Sequence, residues 1–127
     1  MTERLMLHRC EICGNIVQVM HSGEGILYCC GQPMTQLQPH LKEEEKGEKH
    51  VPVFLSDNVI QVGSEMHPMI EEHYIEFIQS FSDDKTHVET KFLSPGQEPK
   101  MHLCTNENHI AALEYCNIHG LWLGEKS

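Results

Sequence analysis

Cys10-Glu11-Ile12-Cys13-Gly14, answered by Cys29-Cys30-Gly31, decides how the first part of the chain is read. Two thiolates three positions apart can grip one metal while backbone N–H groups point at the sulfurs, and Gly14 lets the chain turn tightly. The second pair is adjacent. Neighbouring side chains on a strand point to opposite faces, so the chain must bend for both to reach one metal, and Gly31 permits that. Four thiolates fit a tetrahedral iron or zinc, here expected to be distorted. A CxxC pair alone would favour a four-cysteine zinc ribbon; the adjacent second pair favours iron.

Working outward, the segment 1–37 is too short for a hydrophobic core of its own, and chains of that size lean on metals, disulfides or oligomers. Ile16-Val17-Gln18-Val19 and Ile26-Leu27-Tyr28 read as two short strands of a hairpin, with Ser22-Gly23-Glu24-Gly25 as turn chemistry between them. A metal at the base of that hairpin would supply the missing stability. Leu37 to Lys49, centred on Lys42-Glu43-Glu44-Glu45-Lys46-Gly47-Glu48-Lys49, is too polar to bury and reads as a solvated linker.

The segment 38–127 reads as all-β. Val51 to Phe54, Val59 to Val62 and Tyr74 to Ile78 are short apolar runs, and His87 to Phe92 alternates, with Val88, Thr90 and Phe92 on one face. Lys100 to Leu103 alternates too. Ile110 to Tyr115 reads as a strand, with helix as the competitor because Ala and Leu favour it. Turns are expected at Ser82-Asp83-Asp84, Ser94-Pro95-Gly96 and Asn106-Glu107-Asn108. About seven short strands suggest an immunoglobulin-like β-sandwich. The expected division is therefore 1–37, a four-cysteine metal domain, and 38–127, a sandwich.

Composition narrows the function. The 127 residues are 39% hydrophobic but only 6% aromatic, so the core is expected from aliphatics and Met. A formal net charge of -10 repels nucleic acid and anionic membrane. No apolar stretch approaches the roughly 20 residues that span a bilayer, and the first residues lack a signal-peptide h-region. The expected location is the cytoplasm, where cysteines at tight spacings mean metal more often than disulfide.

A second donor set lies further on. Cys116-Asn117-Ile118-His119 places a thiol and an imidazole three apart. His67-Pro68-Met69 and His73 add two imidazoles six apart, and His50 follows in Glu48-Lys49-His50-Val51-Pro52. Each alone has a bland reading: a surface or core histidine, or a cysteine buried as a small hydrophobe. The combination overturns those readings.

The segment 8–36 resembles desulforedoxin, whose pattern is CxxC followed by an adjacent cysteine pair. Glu48 to Pro52, His67-Pro68-Met69 with His73-Tyr74-Ile75, and Cys116 to Trp122 resemble the iron site of the superoxide reductases. Together the chain resembles the two-iron desulfoferrodoxins. That resemblance implies one-electron reduction of superoxide to hydrogen peroxide, without dioxygen. It implies two irons per chain: one on Cys10, Cys13, Cys29 and Cys30, where zinc can substitute, and a catalytic one. For the latter it implies His50, His67, His73 and His119 in a plane, Cys116 axial and a sixth position open. It also implies that Glu48 binds the oxidised iron at rest, that a rubredoxin-type carrier donates electrons, and that the chain forms a homodimer. Lys49, beside His50, is a candidate for steering superoxide and organising its protonation.

Two rivals remain in view. Copper electron carriers are also sandwiches with Cys and His near the C-terminus, but they carry a Met a few residues later, and residues 120–127 contain none. A zinc-binding interaction module explains the first four cysteines and leaves the His/Cys set as coincidence. Cys104 is expected to be a buried strand residue.

Overall fold

The computed structural model describes residues 1–41, 47–104 and 108–126. The chain divides into two compact units, Met1–Gln38 and Pro39–Ser127.

The first unit is built of very short strands: β1 (Leu7–Arg9), β2 (Ile16–Gln18), β3 (Tyr28–Cys29), β4 (Gln32–Pro33) and β5 (Thr35–Gln36). β1 lies between β2 and β5, antiparallel to both, and β3 pairs only with β4. The expected hairpin between Ile16–Val19 and Ile26–Tyr28 is therefore not formed. The reason is local. Cys30 and Gly31 both take left-handed backbone angles, φ 53° and 78°, and turn the chain back at once, so β3 is closed by β4. The bend was expected at Gly31; it is shared with Cys30, a conformation that costs a non-glycine residue energy. Within this unit only Leu7, His8, Cys10 and Val19 are buried.

The second unit opens with α1 (Gly47–His50), a single helical turn, and continues with seven described strands. These are β6 (Pro52–Ser56), β7 (Val59–Val62), β8 (Ile75–Ser82), β9 (Val88–Phe92), β10 (Lys100–His102), β11 (His109–Cys116) and β12 (Gly120–Glu125). They form two antiparallel sheets, ordered β10-β7-β6 and β12-β11-β8-β9. Ile60, Val62, Ile75, Ile78, Leu93, Met101, Leu103, Ala112 and Cys116 form the core between them. Each fully buried Ile contributes about 1.5–3 kcal/mol relative to exposure. The core is aliphatic with one Met, as low aromatic content dictates, and Cys116 stands at its margin. The molecule is thus all-β, a small cysteine-bearing unit plus a sandwich.

Ile110 to Tyr115 lies in strand β11 as expected, because Ala112 and Leu113 pair on both sides, with β8 and β12. On the alternating face of β9, Val88 is 38% and Phe92 76% exposed; β9 is the sheet's last strand. Other expectations need correction. Cys104 is exposed in a bend after β10; its N–H donates to the Glu89 carboxylate at 2.9 Å. The Leu37–Lys49 run is not a hinge throughout: His40 bridges to Trp122 in parallel. Residues 42–46 of that run, and 106–107 of the turn expected at Asn106 to Asn108, lie outside the described residues.

Candidate metal centres

The four cysteines converge at one end of the first unit, with all four sulfurs within 4.8 Å of one another. Two features set this up. Gly14, φ 85°, closes the CxxC turn, and its N–H donates to the Cys10 carbonyl at 2.9 Å. The turn then aims main-chain N–H groups at sulfur: Cys13 N–H at Cys10 Sγ, 3.5 Å, and Asn15 N–H at Cys13 Sγ, 3.5 Å. Sγ atoms of Cys13 and Cys29 approach to 3.6 Å, and those of Cys29 and Cys30 to 3.9 Å. The N–H groups of Cys13 and Ile12 pull the Cys10 thiol down to about 6, against some burial. Cys30 is pushed up to about 12, chiefly by sharing protons with Cys13, Cys10 and Cys29. One sulfur readily ionised and one reluctant is what crowded thiols do when no cation balances them. A cation with tetrahedral preference fits the donor set.

The second cluster assembles from three places. α1 brings His50, the loop between β7 and β8 brings His67 and His73, and the turn joining β11 to β12 brings Cys116 and His119. Ligand atoms of His50, His73, Cys116 and His119 lie within 4.8 Å of one another. His67 completes the group: its Nε2 is 3.1 Å from His50 Nε2 and 3.6 Å from Cys116 Sγ. The rings follow one another in a closed circuit, His50, His67, His73, His119, with neighbouring centroids 4.6, 4.5, 5.1 and 4.7 Å apart. Neighbours stand edge to face, and His50 and His73 face each other across 6.2 Å.

Protonation states suit ligation. Burial pushes His67 down to about 4, and the neighbouring rings push the same way, so it is neutral. Its Nδ1 bonds the Pro68 carbonyl at 2.6 Å, which fixes the proton there and leaves Nε2 bare toward the cluster. His73 Nε2 is buried without a hydrogen-bond partner among the described residues. Burial pushes the Cys116 thiol up, while the N–H groups of His119 and Ile118 pull it down. The net push is up, so the group rests as a thiol with two N–H donors already aimed at its sulfur. Four imidazoles and one thiol suit a first-row transition metal, and the unpartnered nitrogen is an observation such an ion would satisfy. Cys116, His50 and His67 are buried, whereas His73 and His119 are half-buried, so the group is reached from the side of the last two.

The main chain locks α1 in place. The Glu48 carbonyl accepts from Glu65 N–H at 3.1 Å and from Ser64 Oγ at 3.2 Å. Gly63, φ 82°, packs so close that a Cβ there would sit 2.7 Å from the Lys49 carbonyl oxygen. Glu48 and Lys49 are both exposed, next to buried His50. Sequence reasoning gave two neighbours no role. Trp122 stacks on His50 at 4.9 Å and 22°, and donates to the His119 carbonyl at 3.1 Å, so it braces two rings. Glu114 is fully buried, and its carboxyl oxygens have no hydrogen-bond partner among the described residues. Burial pushes that carboxyl well up. A mostly apolar strand with one Glu gave no signal for Glu114; the Trp in Cys116 to Trp122 was visible but ambiguous.

Fold and clusters define a small all-β metal-binding protein with one all-sulfur and one nitrogen–sulfur donor set. A family model described as "Desulfoferrodoxin, N-terminal domain" matches residues 2–37, and one described as "Desulfoferrodoxin" matches 42–125. The chain belongs to the desulfoferrodoxin family. A desulfoferrodoxin homolog of Archaeoglobus fulgidus is 46% identical over 96% of this chain and 98% of its own length. A superoxide reductase of Pyrococcus horikoshii is 35% identical, over 63% of this chain and 87% of its own. The crystal structure of the superoxide reductase from Treponema pallidum matches with a TM-score of 0.71 at 23% identity, covering 98% of this chain and 100% of that one. The last is a likeness of fold. Among the described residues no helix is long and apolar enough to cross a membrane.

Proposed function

We propose that the chain is a superoxide reductase, taking superoxide, one electron and two protons to hydrogen peroxide without releasing dioxygen. The observation that carries this reading is the closed circuit of His50, His67, His73 and His119 around the Cys116 thiol, reached through its half-buried side. The proposed resident metal is iron, held by those five side chains. Iron bound there would supply the single electron and a position for superoxide.

The chain's own residues do the rest. Cys116, as a thiolate on the buried side, donates charge that raises the electron-giving power of the centre. His67, tied to the Pro68 carbonyl, and His50, stacked on Trp122, hold their rings so that binding costs little rearrangement. Lys49 is an exposed cation one residue from His50. It offsets, locally, a chain of net charge -10 and draws superoxide to the half-buried side. Holding a proton at Nζ, it orders the water that protonates the departing product. Glu48 is the carboxylate proposed to occupy the oxidised centre at rest.

Cys10, Cys13, Cys29 and Cys30 are proposed to hold the second metal, iron with zinc as a substitute. Its first role is to hold together a unit with four buried residues. The electron comes from an external carrier of rubredoxin type, and the free cysteines suit the cytoplasm as the setting.

The test is product stoichiometry under pulses of superoxide, with the protein pre-reduced. One peroxide per superoxide, with no dioxygen from the protein, is expected. Equal yields of dioxygen and peroxide would make the chain a dismutase and overturn the reading.

A further inference from the structure

A line of aromatic rings leads from the surface of the sandwich unit to the second cluster. His40 is exposed, and its ring lies 4.7 Å from that of Trp122, tilted by 39°. Trp122 is 4% exposed and stacks on His50 at 4.9 Å and 22°. Its Nε1–H also donates to the His119 carbonyl at 3.1 Å, so one indole touches two residues of the cluster. The main chain holds the outer ring in place. His40 N–H donates to the Leu121 carbonyl at 2.8 Å, and Leu123 N–H to the His40 carbonyl at 3.0 Å. This parallel bridge lays His40 beside Trp122 on β12. A Cβ at Gly120 would meet His40 Nε2 at 4.0 Å.

The bland reading is that His40 shields the indole from water. A leucine would shield it as well, whereas a second ring adds overlap between π systems. Electrons tunnel through protein with a probability that falls steeply with every ångström of empty gap, and touching rings shorten the gaps. Because Trp122 is buried, a carrier cannot meet it directly; His40 is the exposed ring against it. The other approach to the cluster, past half-buried His73 and His119, is the one proposed above for superoxide, and a carrier seated there would close it. Leu41, next to His40, is 47% exposed, and Ile118, in the turn that leads to Gly120, is 57% exposed. Apolar groups beside an exposed ring suit the brief contacts of redox partners, which bury less than about 1,200 Å².

We propose that an external one-electron carrier docks over His40 and that its electron crosses Trp122 to the cluster at His50 and His119. The carrier loses one electron and the oxidised metal gains it. Both rings keep their oxidation state, and no proton moves. The inference rests on reading the second cluster as a redox iron. It gives that centre's two reactants, carrier and superoxide, different approaches.

The test uses the full iron-loaded chain, oxidised, with reduced rubredoxin as the probe and no superoxide present. Bleaching of the oxidised centre is followed by stopped flow. His40→Leu, which shields without a ring, should slow that reduction by an order of magnitude or more, and His40→Phe should restore it. Oxidation of the pre-reduced centre by superoxide should be the same in all three proteins. A second readout needs no redox metal. In 15N-labelled protein loaded with zinc, paramagnetic oxidised rubredoxin should broaden the His40 ring signals and the indole N–H of the single Trp before the rings of His87 and His102. Equal reduction rates in wild type, His40→Leu and His40→Phe, or broadening centred on His87 or His102, would overturn the inference. A chain that released dioxygen from superoxide would instead fail the product test above, which this experiment does not use.

Discussion

The two donor sets are supported in opposite ways. Around Cys10, Cys13, Cys29 and Cys30 there is almost no protein: strands of two or three residues, four buried side chains, and two of the sulfurs exposed. Around His50, His67, His73, Cys116 and His119 there is a sandwich whose core exists without any metal, from Ile60 and Val62 to Ile75 and Ile78. In the first unit a metal would do the work of a hydrophobic core. In the second the fold itself places the donors, and a metal there would be free to do chemistry. A site closed by four thiolates has no open position and is poorly placed to change ligation each turnover. One held by a pre-formed core is well placed.

Metal removal breaks this comparison most visibly. Stripping both metals with a chelator should abolish amide-exchange protection throughout Met1–Gln38 and leave β8 and β11 protected. Equal loss in both units, followed by NMR, would show that the sandwich also depends on its ion. Lys49→Ile should slow the reaction with superoxide by about tenfold while keeping the second metal, as expected for loss of local steering. An unchanged rate constant would remove Lys49 from the mechanism. Gly63→Ala forces a side chain into a left-handed position against the Lys49 carbonyl, and should cost about 1–3 kcal/mol by urea unfolding, with the His50 turn displaced. Cys13→Ser should lower metal in the first site and leave superoxide reduction intact. Loss of activity in a folded variant would refute the division of labour.

The smallest effect lies at the opposite end of β8 from the His/Cys cluster. Hydroxyls of Thr86 and Ser82 hold the Asp84 carboxyl down to about 2, below the usual value near 3.9. A depressed carboxyl stabilises the fold above its unfolded value, and that stability fades as pH falls from about 4 toward 2. The gap in urea midpoint between wild type and Asp84→Asn should therefore shrink over that window. Asp84 is solvent-exposed, so the gap is small, and one that does not vary with pH would contradict the assignment.

The same contrast governs what could be read from sequence. CxxC and the adjacent pair announce a site because their donors are close in sequence. The strand pairing around them was misread, because two- and three-residue strands carry no periodicity to fix a partner. The sandwich was legible, since runs such as Val59 to Val62 are long enough to show a pattern. Its His/Cys set was legible only as a combination and a resemblance, because a helical turn, a loop and a hairpin bring those residues together. The Pro68 carbonyl on His67, Trp122 on His50 and buried Glu114 leave no mark in residue order. Cys104 was misplaced because the alternation of Lys100 to Leu103 does not show that the strand ends at His102, which leaves Cys104 in an exposed bend.

The central claim is that the nitrogen–sulfur cluster carries a redox iron. Elemental analysis of protein expressed with ample iron tests it most directly. The account predicts about two irons per chain, or about one with zinc in the four-cysteine site, since four thiolates accept either metal. Almost no iron under those conditions would leave the His50, His67, His73, His119 and Cys116 cluster without its electron source, and would contradict the account.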